Sequence, residues 1–545
     1  MCEPQMPIVP PEVVERIATQ LDWRSALCLG VTCRRHWQLI PQHQLLWRQY
    51  YLQTFPTYGE ERELDAFLRA RLVSERARAS KDTDTRNDQS QQDGQSQQMP
   101  ERTPHAEPDW AALFRRRMQL QGHWARGCYA VRRIQLPLTL DRNAAARPFA
   151  VASCASYTLV FQPPRPSINA DGHLFIVPNE ATGEDENAST PRALELPRSI
   201  RLLGSWSVLV GSQYAVVDAD LVLLVVSTSA PSQTHLCIWD AATGRLRTHF
   251  GIPSVDSAWI VERRGRWVLL GLGGDRWWVY DIYTTTVGQP VWASNHSGGK
   301  GFRFGHSRSA DESVDSDDGQ DWIDVLCVTT VPNHSATLQW RSHRCWSTGA
   351  QSMRTEALIS LWPHIQTVRH FSWMTLPKNR LLFSITGDHR EQLLVMASCA
   401  QMSILWTYPQ RDAPTLPLYL PCDDLLVVSG WVEDLDHDDS GRITSRRRIA
   451  GQLFLDAKTG TLRRSLKELD GRASSMELAP LLLVRPALPA PHAHCSLVNA
   501  DTGMVVRHLS AAECPNPVKQ VVGATHCIVL DTANNCLVLH DYAIA

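Results

Sequence analysis

Residue types able to do chemistry are scattered along this 545-residue chain, and few fall at the spacing that chemistry needs. No Gly-x-Ser-x-Gly elbow is present to raise a nucleophilic serine. Gly298-Gly299-Lys300-Gly301 lacks the upstream Gly and the following Ser or Thr of a phosphate-cradling loop, so it reads as a flexible connection. His492, His494 and Cys495, with Cys514 further on, are the densest set of metal-ligand types. A structural zinc site would need a fourth ligand and firmer spacing, so packing and turn hydrogen bonds are the expected roles, as for His343 and Cys345. Arg446, Arg447 and Arg448 follow the acidic run Asp434 to Asp439 in one insertion. An arginine cluster can grip a carboxylate or phosphate bidentately. With acids so close, an internally neutralised, flexible loop is the expectation. No catalytic residue, metal or cofactor is assigned.

The informative spacing is a repeat. An apolar run ends in Asp or Asn, and Thr-Gly follows at the third and fourth positions. It occurs at Asn179, Asp240, Asp456 and Asn499, with a weaker copy at Asp281, and the final run CLVLHD ends at Asp541 without the turn. Asp or Asn can accept hydrogen bonds from backbone amides in such a turn, and Gly supplies the positive φ that closes it. The motif therefore joins two antiparallel strands. Asp240 to Asp281 is 41 residues, Asp456 to Asn499 is 43 and Asn499 to Asp541 is 42. That is the period of a four-stranded propeller blade.

From Cys128 onward, short runs of Val, Leu, Ile and Trp alternate with turn residues, as an all-β region should. Insertions near 180–192, 304–321 and 434–446 stretch the period, and degenerate strand sets end near Trp340 and Tyr408. Eight blade-like units can be counted, with seven as the alternative. Trp239, Trp259, Trp267, Trp277, Trp278 and Trp322 sit at strand spacing and are expected in blade cores rather than in a peptide pocket. Each repeat places an outer strand after its turn, yet four residues follow Asp541. The segment Tyr129 to Leu136 is expected to supply the missing strand and close the ring. The Trp239-Asp240 pair and the period resemble WD repeats. The Asp-Ala-x-Thr-Gly copies at Asp240 and Asp456 also resemble repeats of quinone-dependent dehydrogenase propellers.

The front of the chain is different. Pro10 and Pro11 suit a helix start. Val13, Val14, Ile17, Ala18 and Leu21 recur at helical spacing. Asp22 can cap a second helix through Ala26, Leu27, Leu29 and Val31, and a third piece holding Trp37 stops at Pro41. Leu46, Trp47, Tyr50, Tyr51 and Phe55 follow. About fifty residues make a poor independent core, and the apolar excess points to a partner or to docking on the rest of the chain. Val9-Pro10-Pro11-Glu12, then Val13, Val14, Ile17 and Leu21, then Val31, Cys33, Arg34 and Trp37, then Leu46-Trp47 resemble an F-box in order and spacing. The first Leu of that pattern is Val9 here, and Thr32 is an extra residue.

After Phe55 the helical pattern continues through Leu64, Phe67, Leu68 and Leu72. Between Ser74 and Asp109 there is no Val, Ile, Leu, Phe, Tyr or Trp, so disorder is expected. Trp110, Leu113, Phe114, Met118 and Trp124 then mark a further helix, similar to the linker helix of F-box proteins that carry a propeller. Arg115, Arg116 and Arg117 read as its solvated face. The expected organisation is an F-box over 7–55, a helical extension over 56–73, the Gln-rich insertion over 74–109, a linker helix over 110–127 and a propeller over 128–545.

Composition bounds the rest. The formal net charge is −2, which argues against broad electrostatic binding to nucleic acid or membrane. Fourteen Cys show no paired spacing, and no signal segment or membrane-length apolar run is evident, so an intracellular protein in cytoplasm or nucleus is expected. The F-box resemblance implies the substrate-recognition subunit of a Skp–cullin–F-box ubiquitin ligase. Its F-box would dock on the Skp-type adaptor, and through it on a cullin, while the propeller holds a protein substrate. The subunit itself would not be an enzyme. The resemblance assigns adaptor contacts to Pro10, Val14, Ile17, Leu21, Leu27, Val31 and Trp47. A non-catalytic F-box and propeller scaffold that binds the adaptor without directing ubiquitylation is the alternative.

Overall fold

A computed structural model describes residues 16–31 except 22, then 43–55, 64–75 and 109–136. Within 149–543 it describes the strands named below and the shorter turns between them. The chain forms two units. One is helical and spans the first 129 residues together with the end of the chain. The other, from Ala130 to Asp541 apart from residues 477–479, is all β.

The β unit is an eight-bladed propeller, each blade a four-stranded antiparallel sheet. Seven blades take their strands consecutively. The first runs from Phe149–Ser153 to Arg192–Ala193, the second from Ala215–Val217 to Leu246–Ile252 and the third from Ala258–Arg264 to Trp292–Ser294. The fourth runs from Gly299–Arg308 to Gln351–Ser360, the fifth from His370–Leu376 to Ser403–Gln410, the sixth from Leu418–Leu420 to Leu462–Lys467 and the seventh from Gly471–Ser475 to Met504–His508. The eighth blade is composite. Strands Val521–Val522, His526–Asp531 and Cys536–Asp541 come from the end of the chain, and the outer strand, Ala130–Gln135, from before the first blade. The register runs from Ala130 opposite Asp541 to Gln135 opposite Cys536. The ring is closed as the sequence led one to expect.

The turn chemistry of the repeat is also present. Asp240 Oδ1 accepts from the backbone amide and the hydroxyl of Thr243, both at 2.8 Å, and the Gly244 amide donates to the Asp240 carbonyl. Asp456 and Asn499 accept from Thr459 and Thr502 amides in the same way. Gly244, Gly460 and Gly503 have φ of 71°, 70° and 69°. Gly460 is doubly constrained. An added Cβ would lie 2.6 Å from the ring of Trp406, whose Nε1 donates to the Ala457 carbonyl at 3.0 Å. An outer-strand Trp of the fifth blade thus seats on the turn of the sixth. Asp281 is the exception: its carboxylate takes Arg266 and the Tyr283 amide instead.

Buried side chains pack between neighbouring blades. Trp239 and Trp267 lie in those cores, whereas Trp259, Trp277, Trp278 and Trp322 remain partly exposed. Across the closure, Ile134, Leu537 and Leu539 of the eighth blade meet Val160, Phe175 and Val177 of the first.

Two expectations are corrected. The stretch expected to be a flexible loop is strand over 434–437 and 443–446, with 438–442 outside the described residues. Both strands belong to a two-stranded ribbon, Leu425–His437 paired with Ile443–Asp456. Neighbouring strands cover the ribbon only as far as Val427 and Gly451, so beyond those points its strands pair with each other. The sequence places β-formers Trp431, Val432 and Ile449 there. The backbone register sets Glu433 opposite Arg448 and Asp434 opposite Arg447. The Gly299 connection also joins a strand. Gly299 pairs with Thr329, and the register shifts between Gly299 and Phe302, a bulge that glycine accommodates.

If Ala130–Gln135 is an integral strand, its buried residue must matter and its exposed one must not. Ile134 is buried and Val131 is 56% exposed. Ile134→Ala is expected to destabilise the propeller by about 2–5 kcal/mol. Val131→Ala should stay within about 0.5 kcal/mol of wild type. Denaturant unfolding of the two variants checks this.

Candidate partner-binding site

Among the described residues the helical unit contains the end of a helix at 16–18, then α1 Trp23–Val31, α2 Gln44–Thr54, α3 over residues 64–75 and α4 Trp110–Arg126. Helix α4 begins at Asp109, whose carboxylate accepts from the Ala112 amide, and ends at Gly127 in the left-handed region. There the Cys128 amide reaches back to the His123 carbonyl at 2.9 Å, a glycine-terminated cap. Gln44 ties the starts of α2 and α4 together, its Oε1 accepting from the Trp110 amide at 2.8 Å.

Phe114 is the centre of the aromatic core, with Trp23, Trp47 and Phe55 at centroid distances of 5.2–5.4 Å. Arg117 lies beside it, fully buried. Its guanidinium donates to Asp65 Oδ1 at 2.6 Å and to the Tyr51 hydroxyl at 3.1 Å, and it lies 4.6 Å from the Phe55 ring centre. The Tyr51 hydroxyl donates to the same carboxylate. Burial pushes the Tyr51 phenol well above its ordinary range, opposed by the Arg117 charge. This corrects the reading of Arg115, Arg116 and Arg117 as one solvated face. Arg115 is exposed, but Arg117 falls four residues after Leu113, on the buried stripe. The cluster also joins residues on both sides of 76–108, through Arg117–Asp65 and Arg116–Glu75. Of the stretch 74–109 expected to be disordered, Ser74 and Glu75 are helical and Asp109 caps α4, while 76–108 lie outside the described residues. The end of the chain packs here too: Tyr542 stacks on Trp124 with ring centres 3.6 Å apart, and Arg116 donates to the Ala543 carbonyl.

The expected adaptor contacts divide into groups. Pro10 and Val14 lie outside the described residues, and Val31 is seen as the last residue of α1. Leu21 and Leu27 are half-buried. Ile17 is 43% exposed. Trp47 is buried against Phe114 and Tyr50, so its ring belongs to the core of the unit rather than to its surface.

Two residues not singled out from sequence join Ile17. Helix α2 buries Leu46, Trp47, Tyr50 and Tyr51, while Leu45 and Leu52 on its opposite side are 64% and 46% exposed. Gln49 lies between them on the helix surface, and its Nε2 donates to the Thr19 carbonyl at 3.3 Å. The segment carrying Ile17 therefore meets α2 at Gln49 and, through the Ala18 carbonyl, at the Tyr50 hydroxyl. The spacing of 45, 49 and 52 was available in the sequence but hidden by the stronger 46/47/50/51 stripe.

The propeller holds one buried polar cluster that sequence reasoning missed. His526 Nε2 is 2.9 Å from Ser153 Oγ, and Nδ1 is 2.9 Å from the Thr525 hydroxyl. Asn179 Nδ2 contacts His526, and its Oδ1 accepts from Thr158 at 2.7 Å. A Ser–His pair can form a nucleophile and base. Here the partners of His526 are hydroxyls and an amide, with no carboxylate to hold an imidazolium. Burial pulls the imidazole down to about 4, so it stays neutral and joins the eighth blade to the first. Ser153 and His526 are 373 residues apart in sequence, which is why no local motif signals them. Of the other candidates, Cys345 is buried, with its thiol pushed up to about 12, and His343 packs on Trp292. Cys495 is buried; His492, His494 and Cys514 lie outside the described residues. Among the described residues, no group of three or more His, Cys, Asp or Glu could hold a metal ion, and no helix is long and apolar enough to cross a membrane.

No family model matches the sequence, and no curated protein matches it. Similar solved structures include a europium-containing methanol dehydrogenase, at 10% identity and TM-score 0.39, covering 71% of this chain and 81% of that one. The quinohemoprotein alcohol dehydrogenase of Comamonas testosteroni gives 10% identity and TM-score 0.36, covering 68% and 70%. The hydrazine synthase of Kuenenia stuttgartiensis gives 12% and 0.33, covering 58% and 92%. At these identities and TM-scores, nothing about this chain follows from what those proteins do. The chain is an eight-bladed β-propeller protein with a helical unit in front.

Breaking the buried pair of the helical unit is expected to be severe. Arg117→Ala leaves Asp65 buried without its cation and should cost about 3–5 kcal/mol in the helical unit, read by hydrogen exchange of α2 and α4.

The His526 site predicts a pH dependence of the other unit. Its folded pKa lies below the unfolded value near 6.5. Its contribution is therefore complete above about pH 6.5 and is lost as pH falls towards 4, by order 3 kcal/mol. The stability gap between wild type and His526→Gln should shrink over that window. A gap that does not change with pH contradicts this assignment.

Proposed function

We propose that this chain is the substrate-recognition subunit of a Skp–cullin–F-box ubiquitin ligase, working inside the cell. The observation that carries the reading is the N-terminal order of residues, Val9-Pro10 through Leu46-Trp47, resembling an F-box. Two features of the helical unit support it. Ile17, Leu45 and Leu52 are each exposed apolar side chains, and the Gln49–Thr19 hydrogen bond brings the segment that carries Ile17 to α2. Exposed apolar side chains on a small unit suit a permanent partner.

In this reading the adaptor docks on the helical unit, with Ile17, Leu45 and Leu52 at the contact. A standard interface buries about 1,200–2,000 Å². The propeller holds a protein substrate, and transfer of ubiquitin is done by other subunits. The chain contributes effective concentration rather than bond chemistry. It is not itself an enzyme and needs no cofactor.

Co-purification with a Skp-type adaptor tests this. Wild type is expected to capture the adaptor. Ile17→Asp with Leu52→Asp, both at exposed sites, should weaken capture at least about 30-fold, corresponding to about 2 kcal/mol at an interface centre. Circular dichroism of the variant should match wild type. Failure of wild type to bind rejects the proposal and leaves an isolated propeller scaffold that acts without the adaptor. Capture that the double variant retains moves the interface elsewhere.

A further inference from the structure

Lysine is nearly missing from this protein. The sequence contains 6 Lys against 48 Arg, and a single one, Lys81, lies in the first 299 residues. Lysine is ordinarily among the commonest residues. The cationic positions themselves are not scarce, since Lys and Arg together nearly balance 56 acids. What is avoided is the amine.

Structural need explains this at some sites only. Arg117 uses the guanidinium itself, because its Nη1 donates to Asp65 and Tyr51 while its flat face lies over the Phe55 ring. Exposed sites make no such demand. Arg247 offers one nitrogen to Asp240 at 2.9 Å with its side chain 40% exposed, and Arg369 meets Asp388 at 64% exposure. Arg115 is exposed on α4. A surface pair gains little from the fork, and an ammonium would serve in its place.

The two side chains differ in one reaction. A lysine amine that loses its proton is a nucleophile, while the guanidinium stays protonated in proteins. In ubiquitin transfer the ε-amine attacks the carbonyl of a ubiquitin thioester. An isopeptide C–N bond forms, the C–S bond breaks, and the carrier thiol leaves with the amine proton. A receptor held beside a charged thioester is itself the nearest acceptor, at high effective concentration. We infer that the replacement of lysine by arginine over the chain's surface protects the receptor from modification by the ligase it serves. This rests on the adaptor-docking reading.

The test returns the amine without changing charge. Arg115→Lys, Arg247→Lys and Arg369→Lys are combined in the full chain. Adaptor capture is measured first. Wild type and variant are then assembled with adaptor and cullin, supplied with a ubiquitin-charged carrier enzyme, and followed by the ubiquitylated fraction of the chain itself. The expected result is equal adaptor capture and several-fold more modification of the variant, lost again when Ile17→Asp and Leu52→Asp are added. Equal capture with equal modification overturns the inference and leaves the docking reading standing. No capture by wild type removes both.

Discussion

A ring of blades has two chain ends, and the sheet between them must be completed by strands from both. The antiparallel pairing of Ala130–Gln135 with Cys536–Asp541 does this. Without it, Cys536–Asp541 would present an open edge, and Ile134 would leave the cluster formed with Leu537 and Leu539. The blades on either side of the closure are joined again by the His526, Ser153 and Asn179 hydrogen bonds. Each other blade is completed by neighbours in sequence, whereas this one joins residues some four hundred positions apart. The propeller's closure therefore depends on a strand that precedes the other described strands.

The helical unit follows a different logic. It is too small to bury its aromatics around aliphatic residues alone, and it holds a charge in its centre instead. Arg117 satisfies Asp65 and Tyr51 while its flat face covers Phe55. The same residues tie α2, α3 and α4 together. With the core arranged around Phe114, Trp47 turns inward, and the side of α2 that carries Leu45 and Leu52 is left in solvent.

Much of the propeller was legible in the sequence, because its repeat is chemical as well as periodic. Asp240, Asp456 and Asn499 fix the turn through their own side chains, so a few residues reveal each strand pair. The blade count and the closing strand followed from that period and from the missing strand after Asp541. The ribbon strands over 434–437 and 443–446 were not legible as strands, since their composition reads as a loop and only the backbone register pairs them. Arg117 was missed because three consecutive arginines suggest solvent, whereas helical spacing places the third on the buried stripe. The His526 cluster was beyond sequence reasoning, because its members come together only when the ring closes. In the helical unit, the surface of Leu45 and Leu52 was masked by the stronger apolar stripe on the other side of α2.

Hydrogen–deuterium exchange of the full chain, with and without a Skp-type adaptor, tests the central claim most directly. The account predicts slower exchange on adding adaptor in residues 16–21 and 44–55, with the propeller strands unchanged. Protection confined to the propeller, or none at adaptor concentrations that saturate a known F-box protein, would contradict it.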